Sequence, residues 1–452
     1  MAFQQALSGL NTASKAIDST SHNIANSSTV GYKASVAHFG DVYAASLAGA
    51  GASQIGIGVN LAAIQQQFTQ GNITSTNNPL DISINGAGFF QMDQNGATTY
   101  TRNGQFHLDK NGYVINDQNM KLTGYAAQSG IIVPSTPSPL QISASDLAPQ
   151  ATGYNSSSSF NGVKANINLD SRQDVPTSAW QSGSSALGST TAFTPDPLTY
   201  NYSTALSVYD SLGNDHTMTF YFRKAGVDAL GHQQWSVFAN VDGTTTANIN
   251  FADANSDGVN DNQGLPIGTL TFGTNGQILS GSPMSVTINM TGVMTSQGQT
   301  NGAQTTQTFP IDFTGTTQYG SPFGTNRLEQ DGYAAGHLVG LSVGNDGVVQ
   351  GRYSNGQTFA QGQIVLANFT NPNGLQALGN NQWAETSVSG PALVGAPNTS
   401  NLGVLSSSTV EESNVDLTAE LVNLITEQRN YQANAQSIKT QDQVMQTLVN
   451  LR

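Results

Sequence analysis

The C-terminal segment carries an apolar repeat that constrains the fold more than any other feature of the chain. Its side chains recur at alternating steps of four and three residues, which is the spacing of a heptad seam with polar interruptions. The apolar and aromatic members of this seam are Leu417, Leu421, Leu424, Tyr431, Ala435, Ile438, Met445 and Val449. Ser413 followed by Asp416 predicts a capped start, and neither Gly nor Pro follows. The segment therefore predicts one helix of about ten turns.

The N-terminal segment repeats the same rhythm with a narrower stripe that is rich in alanine. Its seam consists of Phe3, Leu7, Leu10, Ile17 and Ile24, with Ser14 and Ser21 between them. Neither apolar seam can remain exposed to water, and the two lie at opposite ends of the chain. Pairing of the two ends as a coiled coil is the simplest solution, and everything between them then becomes an insertion.

The composition of the chain limits the functions it can have. A chain of 452 residues predicts about three domains. The formal net charge is −14, from 14 Lys and Arg against 28 Asp and Glu, which argues against nucleic acid or an anionic membrane as a partner. Cysteine is absent, so no disulfide or Cys metal site forms. The start lacks a charged region and an apolar core, so we do not expect a cleaved signal peptide. No apolar run has the length of a membrane span.

The middle of the chain contains two kinds of β-rich sequence. Asn-Gly pairs at Asn95, Asn103 and Asn111, each flanked by alternating apolar residues, predict tight type I′ turns in a meander. The same pattern of turn residues and alternating apolar residues recurs after residue 334. The stretch between is richer in Ser, Thr and Gly and predicts a separate all-β sandwich or barrel.

The predicted fold class is therefore mixed and mainly β. It has terminal helices paired as a coiled coil, a split β domain and an inserted all-β domain. The predicted divisions are 1–26 with 414–452 for the helices, 27–70 with 403–413 for a connecting segment, 71–144 with 334–402 for the split domain, and 145–333 for the insertion.

Two terminal motifs carry a family resemblance. The N-terminal motif contains Asn23, Asn26, Gly31 and Tyr32, and the C-terminal motif contains Asn414, Gln428, Arg429 and Tyr431. Both resemble the bacterial flagellar rod and hook family of axial proteins. The internal strings 78–82 and 355–358 resemble segments of the same family. Rod members are usually much shorter, so the large insertion favours the hook branch of the family.

The resemblance implies a structural subunit that polymerises with itself into the short curved tube between motor and filament, acting as a universal joint. The terminal helices would line the channel, and the inserted domain would face outward. The implied partners are the distal rod, the hook cap, the hook-filament junction protein, the export apparatus and the hook-length-control protein. The implied location is the extracellular hook of the basal body, reached by type III export. Phe3 and Leu7 resemble the family's export-gate element, although both also fit as seam residues.

Other function classes find little support. No nucleophile elbow, phosphate loop or paired-His metal spacing occurs, so we expect no enzyme, no catalytic residue and no cofactor. A string of Asp253, Asn255, Asp257 and Asp261 resembles a calcium loop but has Gly264 at its last ligand position, which favours a polar turn without metal. A distal-rod protein stays an alternative. So does a secreted glycan-binding module, based on the aromatic residues Tyr200, Tyr202, Tyr209, Phe220, Tyr221 and Phe222.

Overall fold

The protein is mainly β with a long helix at each end, which confirms that part of the predicted fold class. The computed structural model describes residues 2–42, 56–128, 130–143, 145–154, 161–181, 193–244, 249, 265–298 and 302–450. The chain divides into two compact units. Unit 1 consists of Met1–Ala144, Val339–Arg352 and Gly356–Arg452, and unit 2 of Ser145–Leu338 and Tyr353–Asn355. The finer division of unit 1 stays a prediction.

Both terminal helices belong to unit 1. Helix α1 spans Ala2–Ala25 and α3 spans Leu417–Asn450. The chain turns after α1 at Gly31, whose φ of 71° favours glycine. Asp416 caps α3, since its Oδ1 accepts hydrogen bonds from the backbone N–H groups of Thr418 and Ala419.

The predicted capping box was wrong in its register. Ser413 Oγ accepts a hydrogen bond from the backbone N–H of Val415, ahead of the helix. Asp416 lies directly before the first helical residue and has a carboxylate, which suits the positive end of the helix dipole. The cap is therefore Asp416 alone, and the helix begins three residues later than the box implied.

A large sheet forms most of unit 1. Among the described residues it contains 14 strands, and its main order is β21-β22-β23-β9-β5-β6-β26-β25. The strands of unit 1 are β1 Ser35–Val42, β2 Gly58–Gln66, β3 Ile73–Ser75, β4 Ile82–Asn85, β5 Phe89–Gln94, β6 Ala97–Thr101, β7 His107–Leu108, β8 Val114–Ile115, β9 Lys121–Gln128, β10 Ile131–Ile132, β11 Ser138–Pro139, β21 Leu338–Val343, β22 Val348–Tyr353, β23 Thr358–Ile364, β24 Leu366–Asn368, β25 Gln376–Gly379, β26 Gln382–Ala384, β27 Leu393–Gly395, β28 Val404–Ser407 and β29 Thr409–Glu411.

The Asn-Gly pairs behave differently from one another. Asn95 and Gly96 both have positive φ and join β5 to β6 as predicted. The prediction of a tight hairpin turn at Asn103-Gly104 was wrong. The carbonyl of Gly104 accepts a hydrogen bond from the N–H of Ile82, and a Cβ at Gly104 would collide with the carbonyl oxygen of Ile82. Glycine is needed there for close backbone approach.

Two short sheets join the segment before α3 to the first part of unit 1. Strand β29 pairs antiparallel with β3, and β28 pairs antiparallel with β4. Separately, β1 and β2 form an antiparallel hairpin that packs against α1. The residues that follow α1 and those that precede α3 are thus held by the same part of unit 1.

Unit 2 is built from two sheets around one core. The order is β13-β14-β15-β16-β17 in one sheet and β18-β19-β12-β20 in the other. Side chains from both sheets meet in one buried apolar cluster that includes Phe222, Trp235 and Ile288, so unit 2 is a sandwich. Its elements are β12 Val163–Asn168, β13 Tyr202–Tyr209, β14 Asp215–Val227, β15 Gln233–Val241, β16 Gly268–Phe272, β17 Ile278–Ser280, β18 Met284–Asn289, α2 Met290–Ser296, β19 Thr306–Asp312 and β20 Gly324–Gln330.

Candidate assembly surface

The two terminal helices lie side by side and antiparallel within unit 1. Near one end, Asn23 Nδ2 donates to Glu420 Oε1 at 3.1 Å. Near the other, a Cβ atom at Gly9 would lie 2.9 Å from Asn434 Oδ1. The face of α1 turned inward is small and polar, because its buried residues are Ala6, Ala16, Thr20 and Asn23. Small side chains allow the two helix backbones to come close.

The large apolar residues of the predicted assembly seam are not on that buried face. The most exposed ones are Phe3 at 51%, Leu7 at 42%, Leu417 at 45%, Leu421 at 44%, Tyr431 at 38% and Met445 at 61%. Leu10, Ile17, Ile24, Leu424 and Ile438 are half-buried. Further apolar residues of α3, Val422 and Ile425, are also exposed. The single chain therefore leaves an apolar helix surface uncovered, as interaction sites commonly do.

Asn23 and Tyr32, from the predicted N-terminal motif, anchor α1 to the hairpin. The Asn23 side chain is buried. Its Oδ1 accepts hydrogen bonds from the backbone N–H of Ser35 at 2.8 Å and from the Tyr32 hydroxyl at 3.1 Å. Its Nδ2 donates to the carbonyl of Ser35 at 2.9 Å. A single amide thus fixes where the chain leaves the helix, and a hydrophobic residue of similar size would leave these donors and acceptors unpaired.

The other motif residues divide into two groups. Asn26 Nδ2 donates to the carbonyl of His22, which closes the end of α1. Asn414 Oδ1 accepts from the N–H of Ala34 at 2.7 Å, and its Nδ2 donates to the carbonyl of Gln67 at 2.7 Å. Gln428 and Arg429, in contrast, are exposed on α3. The first group therefore holds the fold together, and the second faces outward.

A buried ion cluster lies between the two chain ends in unit 1. Glu411 Oε1 accepts from Lys33 Nζ at 2.6 Å, and Glu411 Oε2 accepts from Arg102 Nη1 at 3.3 Å. All three side chains are almost inaccessible to solvent. Sequence reasoning missed this cluster, because residues 33, 102 and 411 are far apart in the sequence and meet only in the folded unit.

The cluster contains two cations and one carboxylate, so backbone carbonyls stabilise the extra positive charge. Lys33 Nζ donates to the carbonyl of Thr69 at 2.7 Å, and Arg102 Nη2 donates to the carbonyl of Gly86 at 2.9 Å. Burial lowers the pKa of Lys33, and the charge of Glu411 opposes that shift. Removing any one of the three charges would therefore leave the others buried without full compensation.

A groove of about 510 Å³ runs between α1, the β1–β2 hairpin and α3. Its walls include Ala13 and Ala16 from α1, Phe39 from β1, and Glu427 and Asn434 from α3. Burial raises the pKa of Glu427, and the Thr20 side chain opposes that shift. This groove lies beside the exposed apolar surface and adds a charged position to it.

The alternative sites receive less support. In the part of the chain that the structure describes, no group of three His, Cys, Asp or Glu residues is placed to hold a metal. The string Asp253 to Asp261 lies outside the described residues. Phe220 and Phe222 are fully buried, and Tyr202 stacks on Phe323 with ring centroids 4.9 Å apart. These rings pack against other rings, which disfavours an open sugar-binding platform.

One histidine lies in a more organised setting than the sequence suggested. In unit 2, the buried His216 donates from Nδ1 to Asp242 Oδ2 at 2.6 Å, and its Nε2 lies 3.7 Å from Asp210 Oδ2. Burial of the imidazole disfavours its charged form, but the two carboxylates outweigh burial and raise the pKa of His216. The two carboxylates therefore stabilise the protonated imidazole within unit 2.

With the helix surface and its anchors established, the comparisons define the class of protein. Four family models match successive parts of the chain, all of them flagellar. They are Flagella basal body rod protein over residues 3–33, Flagellar hook protein FlgE/F/G D1 domain over 83–146, Flagellar basal body protein FlaE D2 domain over 168–333, and Flagellar basal body rod FlgEFG protein C-terminal over 406–451. The class is therefore that of the axial proteins of the bacterial flagellum.

Full-length relatives narrow the class further. The chain is 40% identical over 460 residues to the flagellar hook protein FlgE of Salmonella typhimurium, and 39% identical over 459 residues to that of Escherichia coli. Both alignments cover 100% of each chain. The crystal structure of the Helicobacter pylori flagellar hook protein FlgE2 matches 74% of this chain and 98% of its own, at 13% identity and a TM-score of 0.48. On the strength of the two full-length relatives, this chain belongs to the flagellar hook protein family.

No helix among the described residues combines the length and the apolar character that a bilayer crossing requires.

Proposed function

We propose that this chain is the structural subunit of a flagellar hook, and that its copies polymerise into a curved tube that transmits torque from the rod to the filament. Its membership of the hook protein family supports this proposal. The observation that carries it is the uncovered apolar surface of α1 and α3, with Leu421 and Ile425 about half exposed in the single chain. Burying such side chains gains roughly 25 cal/mol per Å² of apolar area.

The coiled-coil pairing of the ends and the outward position of an inserted domain are finer parts of the same proposal. The antiparallel contact of α1 with α3 supports pairing within one chain. That contact leaves seam residues such as Leu421 and Met445 exposed, which favours contacts with neighbouring copies. In the polymer, the helices would form the inner layer and unit 2 the outer layer.

The location and the other partners follow from the same proposal. The subunit would be exported through the flagellar type III apparatus without a cleaved signal, with Phe3 and Leu7 as its export-gate element; both side chains are exposed. Outside the cell it would contact the distal rod, the hook cap, the hook-filament junction protein and the hook-length-control protein. A rod of the same family would use the same terminal helices.

The test is polymerisation of the purified protein, followed by sedimentation and electron microscopy. Leu421→Asp places a carboxylate in the proposed interface, where burying it unpaired costs several kcal/mol at each contact. We expect this variant to remain a folded monomer and to form no tubes. The matched control is Leu378→Asp, since Leu378 is also about half exposed but lies on β25, outside the helices.

The outcomes separate the alternatives. Tubes from Leu378→Asp but not from Leu421→Asp would support the proposal. Normal tubes from Leu421→Asp would contradict the role of the α3 surface. Wild-type protein that forms straight, stiff rods in place of curved tubes would favour the distal-rod alternative.

A further inference from the structure

The groove between α1, the hairpin and α3 has an acidic wall without a basic counterpart. Its lining contains glycine, alanine, threonine, asparagine and apolar side chains, with Glu427 as the charged member. None of the lining residues is Lys or Arg. A carboxylate in a partly apolar groove attracts a cation, because the surroundings screen its charge less than water does.

Glu427 is incompletely satisfied within its own chain. Its Oε2 is buried and accepts no hydrogen bond within the described residues, although the Thr20 side chain favours the charged form of the carboxylate. Burial raises the pKa of Glu427, and the neighbouring charge of Glu420 raises it further. Among the residues that the structure describes, no Lys or Arg forms an ion pair with Glu427.

The helices offer few cations for this position. Lys15 on α1 already lies 3.4 Å from Asp18. Arg429 and Lys439 on α3 are exposed and form no ion pair among the described residues. Two residues along an α-helix correspond to about 200° of rotation, so Arg429 projects from the opposite side of α3 to Glu427. It cannot reach its own Glu427, but it is presented to any copy that lies beside the helix.

Arg429 suits the groove better than Lys439 for two reasons. A guanidinium is more weakly hydrated than an ammonium and its planar fork of donors matches a carboxylate. Arg429 also lies within about 3 Å of the level of Glu427 along the helix axis, against about 18 Å for Lys439. A neighbouring copy needs only a small axial offset to bring Arg429 to the groove.

We propose that the groove between α1, β1 and α3 receives Arg429 from a second copy of this chain, and that its guanidinium pairs with Glu427. The contact is head-to-tail, because each copy provides the groove on one side and the arginine on the other. This inference rests on the proposed self-assembly and assigns one of its specific contacts. It also explains why Arg429 is exposed and why Glu427 is left short of a donor.

The test uses charge reversal in the full-length protein. Glu427→Gln keeps the shape and removes the charge, and we expect the critical concentration for polymerisation to rise about tenfold. Glu427→Arg and Arg429→Glu should each block polymerisation, because like charges then meet at every contact.

An equimolar mixture of the two charge-reversal variants should form tubes again. Where the two variants alternate, the arginine introduced into the groove of one copy meets the glutamate introduced on α3 of the next. At the following contact, the Glu427 retained by the second variant meets the Arg429 retained by the first. Opposite charges therefore face each other at every contact, and the rescue itself shows that both variants are folded.

Each result has a defined meaning. Failure of the wild type to polymerise under all conditions would contradict the proposed function. A wild type that forms tubes, with Glu427→Gln at the same critical concentration or no rescue in the mixture, would overturn only the pairing. Rescue of Glu427→Lys by Lys439→Glu, in place of the Arg429 variant, would also overturn it by assigning the groove to Lys439.

Discussion

The core of unit 2 and the terminal helix pair of unit 1 use similar apolar residues in opposite ways. In unit 2, Phe222 and Trp235 are completely buried in a cluster that both sheets of the sandwich share. In the helix pair, Phe3 and Leu421 are about half exposed, and the buried face of α1 consists of small and polar residues. The core side chains of unit 2 are thus covered by its own chain, while the apolar seam residues of the helices are only partly covered.

The same contrast holds for charge. His216 in unit 2 lies between Asp242 and Asp210, so its protonated form is neutralised within its own unit. Glu427 in the helix pair has a buried Oε2 without a hydrogen-bond donor and no cation beside it among the described residues. The charge of a protonated His216 is therefore balanced within unit 2, whereas no cation among the described residues balances the charge of Glu427.

The largest expected effect comes from truncating an apolar side chain in each region. Phe222→Ala should lower the free energy of unfolding of unit 2 by about 3–5 kcal/mol, because it leaves a cavity in a closed core. Leu421→Ala should change the stability of the monomer by no more than about 0.5 kcal/mol. For Phe222→Ala, denaturant unfolding followed by tryptophan fluorescence in a Trp383→Phe background measures unit 2, because Trp180 and Trp235 then report alone. For Leu421→Ala, the same titration followed by far-UV circular dichroism, whose helical signal comes mainly from α1 and α3, measures the helix pair. Equal losses of unfolding free energy from the two substitutions would contradict this difference between the two regions.

A second expected effect concerns the buried ion cluster that supports the helices. Glu411→Gln leaves Lys33 and Arg102 buried without a counter-charge, and should destabilise unit 1 by about 3 kcal/mol. Glu412→Gln is the matched control, since Glu412 is exposed and its side chain bonds Asn72. Hydrogen exchange read peptide by peptide should show faster exchange in β3 and β29 for the first variant alone. Unchanged exchange in both would mean that the cluster contributes little.

The smallest expected effect is a pH dependence of unit 2 alone. The pKa of His216 is raised in the folded state, so its stabilising contribution is complete below the ordinary histidine pKa of about 6.5 and is lost as the pH rises through the folded value. The thermal midpoint of unit 2, read in the Trp383→Phe background, should fall over that range. His216→Asn should abolish the fall. His232→Asn, at a half-buried histidine paired with Asp228, should retain it.

The sequence predicted the elements of this fold better than it predicted their faces. Heptad spacing and the absence of Gly and Pro after Asp416 predicted a single long α3, because helix periodicity is a local property. The same spacing did not reveal that α1 turns Ala6, Ala16 and Thr20 inward. Which stripe of a helix meets its neighbour depends on backbone approach and on the hairpin packed beside it, and neither is encoded in local spacing.

For the same reason, local sequence patterns could not predict the long-range polar contacts. Nothing near Lys33 in the sequence indicates Glu411, and nothing near His216 indicates Asp242. The turn at Asn103-Gly104 shows the opposite error, since a strong local signal was overruled by a close contact with Ile82. The candidate assembly seam, in contrast, could be predicted as an apolar pattern, and its role between copies stays a prediction.

The cluster of Lys33, Arg102 and Glu411 has a mechanical consequence. Lys33 lies after α1, and it pairs with Glu411, which lies before α3. Beside this pair, the N–H of Ala34 donates to Asn414 Oδ1. A pull on one terminal helix against the other is therefore resisted at one place by several bonds loaded in parallel. None of these bonds involves residues 145–338 of unit 2, so that part of the chain can be lengthened, shortened or exchanged without weakening the link between the two ends.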